Sequence, residues 1–150
     1  MANIDIKAIP QDNGLYDIDF GPDGDFVLDD SFDTSLYMSV LAEKRANESE
    51  VPRSDLRRGW IGNLFSDTQD FEIGSKLWLL DQSRRTDLTL TRAQGFVSEG
   101  VQWYKDQGHA AKTKTTSSFT QNGVRVNAEI FRKNDIVNAK SFDLWEETGK

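Results

Sequence analysis

Ile4, Ile6 and Ala8 alternate with Asp5 and Lys7, and Tyr16, Ile18 and Phe20 alternate with Asp17 and Asp19. That is the period of half-buried strands. Asn13-Gly14 between the two runs is a turn signal, and Gly21-Pro22-Asp23-Gly24 marks a second turn before a short Phe26-Val27-Leu28 strand. The spacing then changes. Leu36, Val40, Leu41 and Lys44, broadened by Tyr37 and Met38, predict a helix that Asp33 or Ser31 caps and that runs to about Arg45. Lys44 and Arg45 would complement its C-terminal dipole, and Glu48 to Pro52 stops it. Ser75 to Leu80 reads as a buried helical turn or short helix. Leu90, Ala93, Phe96/Val97, Gly100/Val101 and Tyr104 predict an amphipathic helix over Thr89–Gln107, with Gly108 as its C′ residue. Gly95 and Gly100 weaken such a helix by up to about 1 kcal/mol each, so both are expected where another backbone packs closely. In the last third Thr113, Thr115 and Ser117 alternate with Lys112, Lys114 and Thr116. Gln121-Asn122-Gly123 turns the chain into an apolar face of Val124, Val126, Ala128 and Ile130. Lys133-Asn134-Asp135 turns it again into Ile136–Trp145, where Phe142 and Leu144 share a face. The expected architecture is α+β: a small antiparallel sheet, made of an N-terminal meander and a C-terminal three-stranded meander, packed against two main helices. A long central loop separates the halves, and the chain carries no internal repeat.

Composition narrows the possibilities. The 150 residues suit one domain spanning 1–150, large enough to bury roughly 68–70% of the unfolded surface. Zero Cys excludes disulfides and thiolate metal sites, and the single His, His109, argues against a His-built zinc centre. No apolar run approaches the roughly 20 residues of a membrane helix, and the start MANIDIKAIP lacks a signal-peptide core, so a soluble protein is expected, with no membrane partner. Net charge is −7, yet residues 1 to 33 hold nine Asp against one Lys, and the remainder sums to about +1. Lys105 to Lys133 is mildly basic, with Lys105, Lys112, Lys114, Arg125, Arg132 and Lys133 against Asp106 and Glu129. Opposed faces of this kind suit head-to-tail or oriented docking to proteins, and nucleic-acid binding needs a stronger basic patch.

The chemistry concentrates in Arg53–Leu80. Arg53, Arg57, Arg58, Trp60, Phe65, Phe71 and Trp78 stand there without a regular period, with Gly59, Gly62 and Gly74 as hinges. Arg and Trp are the side chains most enriched among interface anchors, and a long aromatic-rich connection in a small domain is usually functional. One reading is a structural knot, in which the arginines pair with Asp55 or Asp67, Trp60 caps the core and Trp78 and Leu79 lie inside it. The other presents guanidinium forks and Trp60 to carboxylates of a neighbouring chain. Partner-binding candidates are therefore Arg53, Arg57, Arg58 and Trp60, with Lys112 and Lys114 on a strand that can serve as a free edge.

Other constellations are weaker. Asp19, Asp23, Gly24 and Asp30 fall at positions of a calcium loop, but Gly21 and Pro22 interrupt it and an acidic hairpin turn fits better. Carboxylate pairs such as Glu48 with Asp55, or Asp70 with Glu72, could be drawn for glycoside hydrolysis, yet they read as caps and solvated loops. His109 reads as a surface or capping residue rather than a general base. No phosphate-cradling glycine motif is present, so no cofactor is expected.

Asp55-Leu56-Arg57-Arg58-Gly59-Trp60-Ile61-Gly62-Asn63, followed by Gly74-Ser75-Lys76-Leu77-Trp78-Leu79-Leu80, resembles the signature of the Mu-type phage baseplate wedge family. The likeness extends to Asp33-Thr34, Lys44-Arg45-Ala46, Ala93 and Trp103; Ile61 stands where the family has a second Trp, and Asn63 where it has Asp. The resemblance implies a non-enzymatic component of a contractile tail, assembled in the host cytoplasm and carried in the virion. About six copies would surround the tail tube, clamp onto wedge subunits and offer strand edges on which the first sheath ring forms. Candidate edges are Lys112–Phe119 and Ile136–Trp145. The competing reading is a tail-associated peptidoglycan hydrolase.

Overall fold

Val124, Val126, Ala128 and Ile130 are each fully buried, and burying side chains of this size contributes about 1.5–3 kcal/mol apiece for the larger ones. That stripe organises the rest of the chain. The computed structural model describes residues 5–12, 15–29, 32–65, 72–81, 83–133 and 135–144. In chain order the elements are β1 (Asp5–Ile6), β2 (Ala8–Pro10), β3 (Tyr16–Ile18), β4 (Leu28–Asp29), α1 (Asp33–Leu41), α2 (Asp87–Val101), the one-turn α3 (Trp103–Asp106), β5 (Lys112–Phe119), β6 (Val124–Arg132) and β7 (Asp135–Leu144). Short 3-10 turns occupy Ser54–Leu56, Ile61–Phe65 and Leu77–Leu80. The fold is α+β, as the periodicities predict.

β6 is central in the three-stranded antiparallel sheet β5-β6-β7, with Ala128 opposite Thr115 on one side and Lys140 on the other. β5 and β7 are thus its outer strands. The predicted Gln121–Gly123 turn is closed by Thr120, whose amide donates to the Gly123 carbonyl and whose hydroxyl accepts from the Gly123 amide. In the second turn Lys133 takes φ 59°, while Asn134 and the expected strand end Trp145 lie outside the described residues.

One face of this sheet is covered by helices. Ala93, Val97, Val101 and Tyr104 meet it from α2 and α3, and Leu36, Val40, Leu77 and Leu80 complete the same core. α2 starts two residues earlier than expected because the Thr86 hydroxyl accepts the Thr89 amide. It does not run unbroken to Gln107: Gln102 separates it from α3, and Gly108 follows with φ 78°. The two glycines in α2 differ. A Cβ at Gly100 would sit 2.6 Å from the Ser39 carbonyl oxygen and 3.2 Å from that of Gly74, which is the close approach predicted. At Gly95 nothing lies within 4 Å, so that expectation is corrected. Gly95→Ala is therefore expected to raise stability by about 0.5–1 kcal/mol through helix propensity. Gly100→Ala should lower it by about 1–3 kcal/mol despite the same propensity gain, and paired urea melts would show the opposite signs.

α1 departs from expectation at both ends. The residue before the helix is Phe32, at φ 66° and without a side-chain cap bond; the expected cap Asp33 is the first helical residue, Ser31 lies outside the described residues, and the Thr34 amide of the first turn donates to the Asp29 carboxylate at 2.8 Å. The Asp33 carboxylate instead accepts from the Asn138 side-chain NH2 at 2.7 Å and pairs with Lys140 at 3.1 Å, tying α1 to β7. The helix stops at Leu41, not Arg45. Beyond it the backbone extends and bridges Ser75, whose amide donates to the Ala42 carbonyl at 2.9 Å and whose carbonyl accepts from the Lys44 amide at 3.0 Å. Those tertiary bonds replace the last helical turn.

The N-terminal strands form, but they stay apart from the main sheet. β2 pairs with β3 and β1 with β4, and Phe20 bridges Phe26 across the Gly21–Asp25 turn. The calcium-loop alternative thus gives way to a hairpin turn, although Asp30, like the Asn13-Gly14 turn, falls outside the described residues. The hairpin attaches at the start of α1, where the Thr34 hydroxyl donates to the Ile6 carbonyl and accepts from the Ala8 amide, and Asp29 accepts from the Thr34 amide. Tyr16 packs on Tyr37 with ring centroids 4.7 Å apart. The alternation predicts half-buried strands, whereas Ile18, Phe20, Phe26 and Leu28 are exposed by 44 to 58%. Period reports which face a side chain shares, not whether anything covers that face.

Candidate docking loop

The bridge beyond α1 sets the frame of the central loop. The Trp60 amide donates to the Glu43 carbonyl at 2.7 Å and the Ala46 amide to the Arg57 carbonyl at 3.0 Å, so residues 57–60 run beside 43–46. Arg45 reaches across with its guanidinium, donating to the carbonyls of Arg58 at 3.1 Å and Ser54 at 3.0 Å. Arg58 and Gly59 carry positive φ of 51° and 125°, which reverses the chain here. Asn63 closes the far side: its side-chain NH2 donates to the Ile73 carbonyl at 3.0 Å and its side-chain oxygen accepts from the Ile73 amide at 2.9 Å. A side-chain amide thereby mimics a strand partner. The loop is held by its own polar groups.

The base of the loop rests on an ion pair that the sequence reading did not find. Lys76 is buried, and its ammonium donates to Glu50 Oε1 at 2.7 Å; the same carboxylate accepts from the Asn47 amide at 3.1 Å. Burial alone pushes the Glu50 carboxyl up, but the Lys76 and Asn47 hydrogen bonds, helped by the Lys76 and Arg92 charges, outweigh it and hold it below the ordinary range. A lysine inside the apolar run Ser75–Leu80 was the available signal, since a buried ammonium requires a partner.

The candidate residues fall into distinct settings. Arg57 is spent internally, donating to the carbonyls of Val51 at 2.7 Å and Pro52 at 2.8 Å. Arg58 pairs with Glu43 at 2.8 Å and Asp81 at 3.5 Å and lies 4.7 Å over the Trp78 ring. Arg53 forms a two-pronged pair with Asp55, both exposed. So the pairing with Asp55 is made by Arg53 rather than by the tandem arginines; Asp67, like Phe71, lies outside the described residues. Trp60 does not cap the core. Its ring lies over Gly62, where a Cβ would come within 2.2 Å of it. Trp78 is half-buried, donating its indole N–H to the Lys44 carbonyl at 2.8 Å. Lys112 and Lys114 stand on the solvent side of β5, apart from this loop; Lys112 sits 5.0 Å over the Phe131 ring and Lys114 is opposite Glu129. His109 is packed beside Phe32 and Trp103.

What the candidates omitted is the apolar part. Ile61, Leu64 and Phe65 are exposed by 67, 81 and 78%, beside Trp60 at 41%. On a 3-10 turn with about three residues per turn Ile61 and Leu64 line up in one ridge, and Phe65 follows Leu64 with comparable exposure; the i, i+3 spacing was readable in the sequence. Beside the ridge lies a cleft of about 310 Å³ lined by Arg45, Arg58, Trp60, Asn63, Leu64 and Glu72 among others. An exposed apolar cluster on a hydrogen-bonded frame has the anatomy of a contact surface. Among the described residues, no helix is long and apolar enough to cross a membrane.

Fold and loop together define a small α+β protein with an outward-facing apolar ridge. The family model of phage protein GP46 matches residues 32–136, from the start of α1 to the first residues of β7, and the chain belongs to that family. It is 39% identical over 107 residues to baseplate protein gp46 of Escherichia phage Mu, covering 69% of this chain and 70% of that protein. It is 32% identical over 117 residues to Mu-like prophage FluMu protein gp46 of Haemophilus influenzae, covering 78% of each.

Proposed function

We propose that this chain is a structural component of a contractile phage baseplate, joining wedge subunits around the tail tube and helping to start sheath assembly. In this role it works in the virion after assembly in the host cytoplasm, present as about six copies, and it catalyses no reaction. The Mu relative's name supports the baseplate role. The observation that carries the docking role is the Trp60–Phe65 ridge, whose apolar side chains face solvent on a backbone fixed by Asn63 and Arg45. Surface of this kind is stable in water only at a cost, and burying it against a wedge subunit recovers about 25 cal/mol per Å² of apolar area. Arg53 and Arg58 rim the same region and supply orientation. Among the described residues β5, with Lys112 and Lys114, and β7 are the outer strands of the three-stranded sheet, and a sheath segment can add a strand at such a border.

The experiment is complementation of a phage lacking this gene with Leu64→Asp/Phe65→Asp. Both positions are exposed, so the purified variant should keep its circular dichroism and melting temperature. Loss of sheathed tails and of infectivity is expected. Full infectivity would overturn the docking role, and peptidoglycan turnover by the purified protein, abolished by replacing one carboxylate, would overturn the structural reading.

A further inference from the structure

The cleft beside the ridge has a volume of about 310 Å³, at the lower end of pockets that take small ligands and of a size for one protruding side chain. Its polar lining is mostly spent. Arg45 donates to the Arg58 and Ser54 carbonyls, Arg58 pairs with Glu43 and Asp81, and the Asn63 side chain is bound through both its NH2 and its oxygen to Ile73. Charge selects no ion either. Around the cleft Arg45, Arg53, Arg57 and Arg58 are matched in number by Glu43, Asp55, Glu72 and Asp81. What the cleft still offers is the surface of Trp60, Ile61 and Leu64, exposed by 41, 67 and 81%. The Trp60 ring is backed by Gly62, where a Cβ would come within 2.2 Å of it, so the indole is supported from behind while part of it stays open.

We infer that this cleft receives an uncharged aromatic side chain of the neighbouring subunit, a tryptophan or tyrosine that anchors the contact made by the ridge. The cleft is continuous with the ridge, sharing Ile61 and Leu64 with it, so a subunit lying on the ridge brings its own side chains to the cleft mouth. A carboxylate entering there would lose water and meet guanidiniums that already donate elsewhere, and an ammonium or guanidinium would meet Arg45 and Arg58 beside Glu72. An aliphatic side chain would fill the space but forgo the ring-to-ring contact with Trp60, which adds to what buried area alone contributes. Glu72 lines the cleft as an acceptor for the N–H or O–H that Trp and Tyr carry. Aromatic anchors of this kind, seated in a pocket, carry most of the affinity of many interfaces. The inference rests on the docking role proposed for the ridge and adds the chemistry of the partner's anchor to it, replacing the expectation in which the loop's arginines face a partner's carboxylates.

The test is titration of the purified full chain with single-ring probes, read by nitrogen–proton correlation NMR at the Trp60 indole N–H. Indole and p-cresol, standing in for the Trp and Tyr side chains, should give saturable shifts with millimolar dissociation constants, as befits ligands of so few atoms. Acetate, methylguanidinium and cyclohexanol, standing in for a carboxylate, an arginine and an aliphatic ring, should bind about fivefold more weakly or worse. Leu64→Asp puts a charge in the cleft wall and should weaken indole binding about fivefold or more. Phe65→Asp, comparably exposed on the ridge but outside the cleft lining, should leave it unchanged. Circular dichroism on both variants checks folding. No saturable shift with indole or p-cresol, acetate, methylguanidinium or cyclohexanol binding as tightly as indole, or equal weakening in both variants overturns the aromatic anchor. In a reconstruction of the tail tip the side chain seated in the cleft should be a neighbour's Trp or Tyr, and any other occupant, or none, overturns it too. The anchor can fail in these ways while Leu64→Asp/Phe65→Asp still abolishes sheathed tails, whereas full infectivity of that variant removes the docking role whatever the probes do.

Discussion

Gly74→Ala is expected to lower folding stability by about 3 kcal/mol or more, read as a shift in urea midpoint. Two terms add. The backbone at Gly74 has φ 116°, where a residue with a Cβ carries about 1–3 kcal/mol of strain. That Cβ would also lie 2.5 Å from the Ala42 carbonyl oxygen and 3.2 Å from the Lys44 nitrogen. Those atoms belong to the backbone that bridges Ser75, so they cannot turn aside as a side chain could, and overpacking costs a further 1–3 kcal/mol or so. The junction also abuts Gly100 of α2, whose own missing Cβ lets the Gly74 carbonyl approach. Three segments meet there on two glycines. A loss below about 1 kcal/mol would mean that the junction is loosely built and that α1 ends at Leu41 for another reason.

Glu50→Ala is expected to cost about 3 kcal/mol, because removing one partner strands the buried Lys76 ammonium. Adding Lys76→Met should restore most of that loss, since replacing both charges leaves nothing to compensate. The pH dependence follows from the direction of the shift. Glu50 is held below its ordinary range by the Lys76 and Asn47 hydrogen bonds and the nearby charges, against the upward push of burial. Its contribution is therefore complete above the unfolded value of about 4.3 and is lost as pH falls through the lower folded one. Glu50→Ala should flatten that part of the acid limb. Lys140 runs the other way. Burial pulls its ammonium down, but the Asp33 hydrogen bond and charge, together with Tyr37, leave it raised. Its contribution is complete below the unfolded value of about 10.4 and lost as pH rises through the folded one, so its part in tethering α1 to β7 should be lost in strong alkali.

The pattern of the sequence made the core legible wherever burial and period coincide. Val124 to Ile130 and Ala93 to Tyr104 announce their faces because each element presents one side to the same interior. The end of α1 was not legible, since Lys44 and Arg45 look like a basic last turn and only the distant Ser75 pulls that backbone straight. The hairpin strands were legible as strands, but their uncovered face was not, because alternation carries no information about a missing cover. In the loop, counting arginines did not show what each guanidinium holds. Arg57 donates to backbone carbonyls that no local rule predicts, and Arg58 is drawn to Glu43 and Asp81. Ile61 and Leu64 were passed over although their i, i+3 spacing was in plain view, and Phe65 was named among the loop's aromatic side chains but not among the partner-binding candidates.

All of these features bear on whether the chain acts by being held between other subunits through the Trp60–Phe65 ridge. A reconstruction of the assembled tail tip, with this chain placed in density, measures that directly. The account predicts Ile61, Leu64 and Phe65 buried against a neighbouring subunit, with Arg57 still bound to its own Val51 and Pro52 carbonyls. A tail tip in which those three side chains remain in solvent, with the chain seated through some other surface, would contradict it.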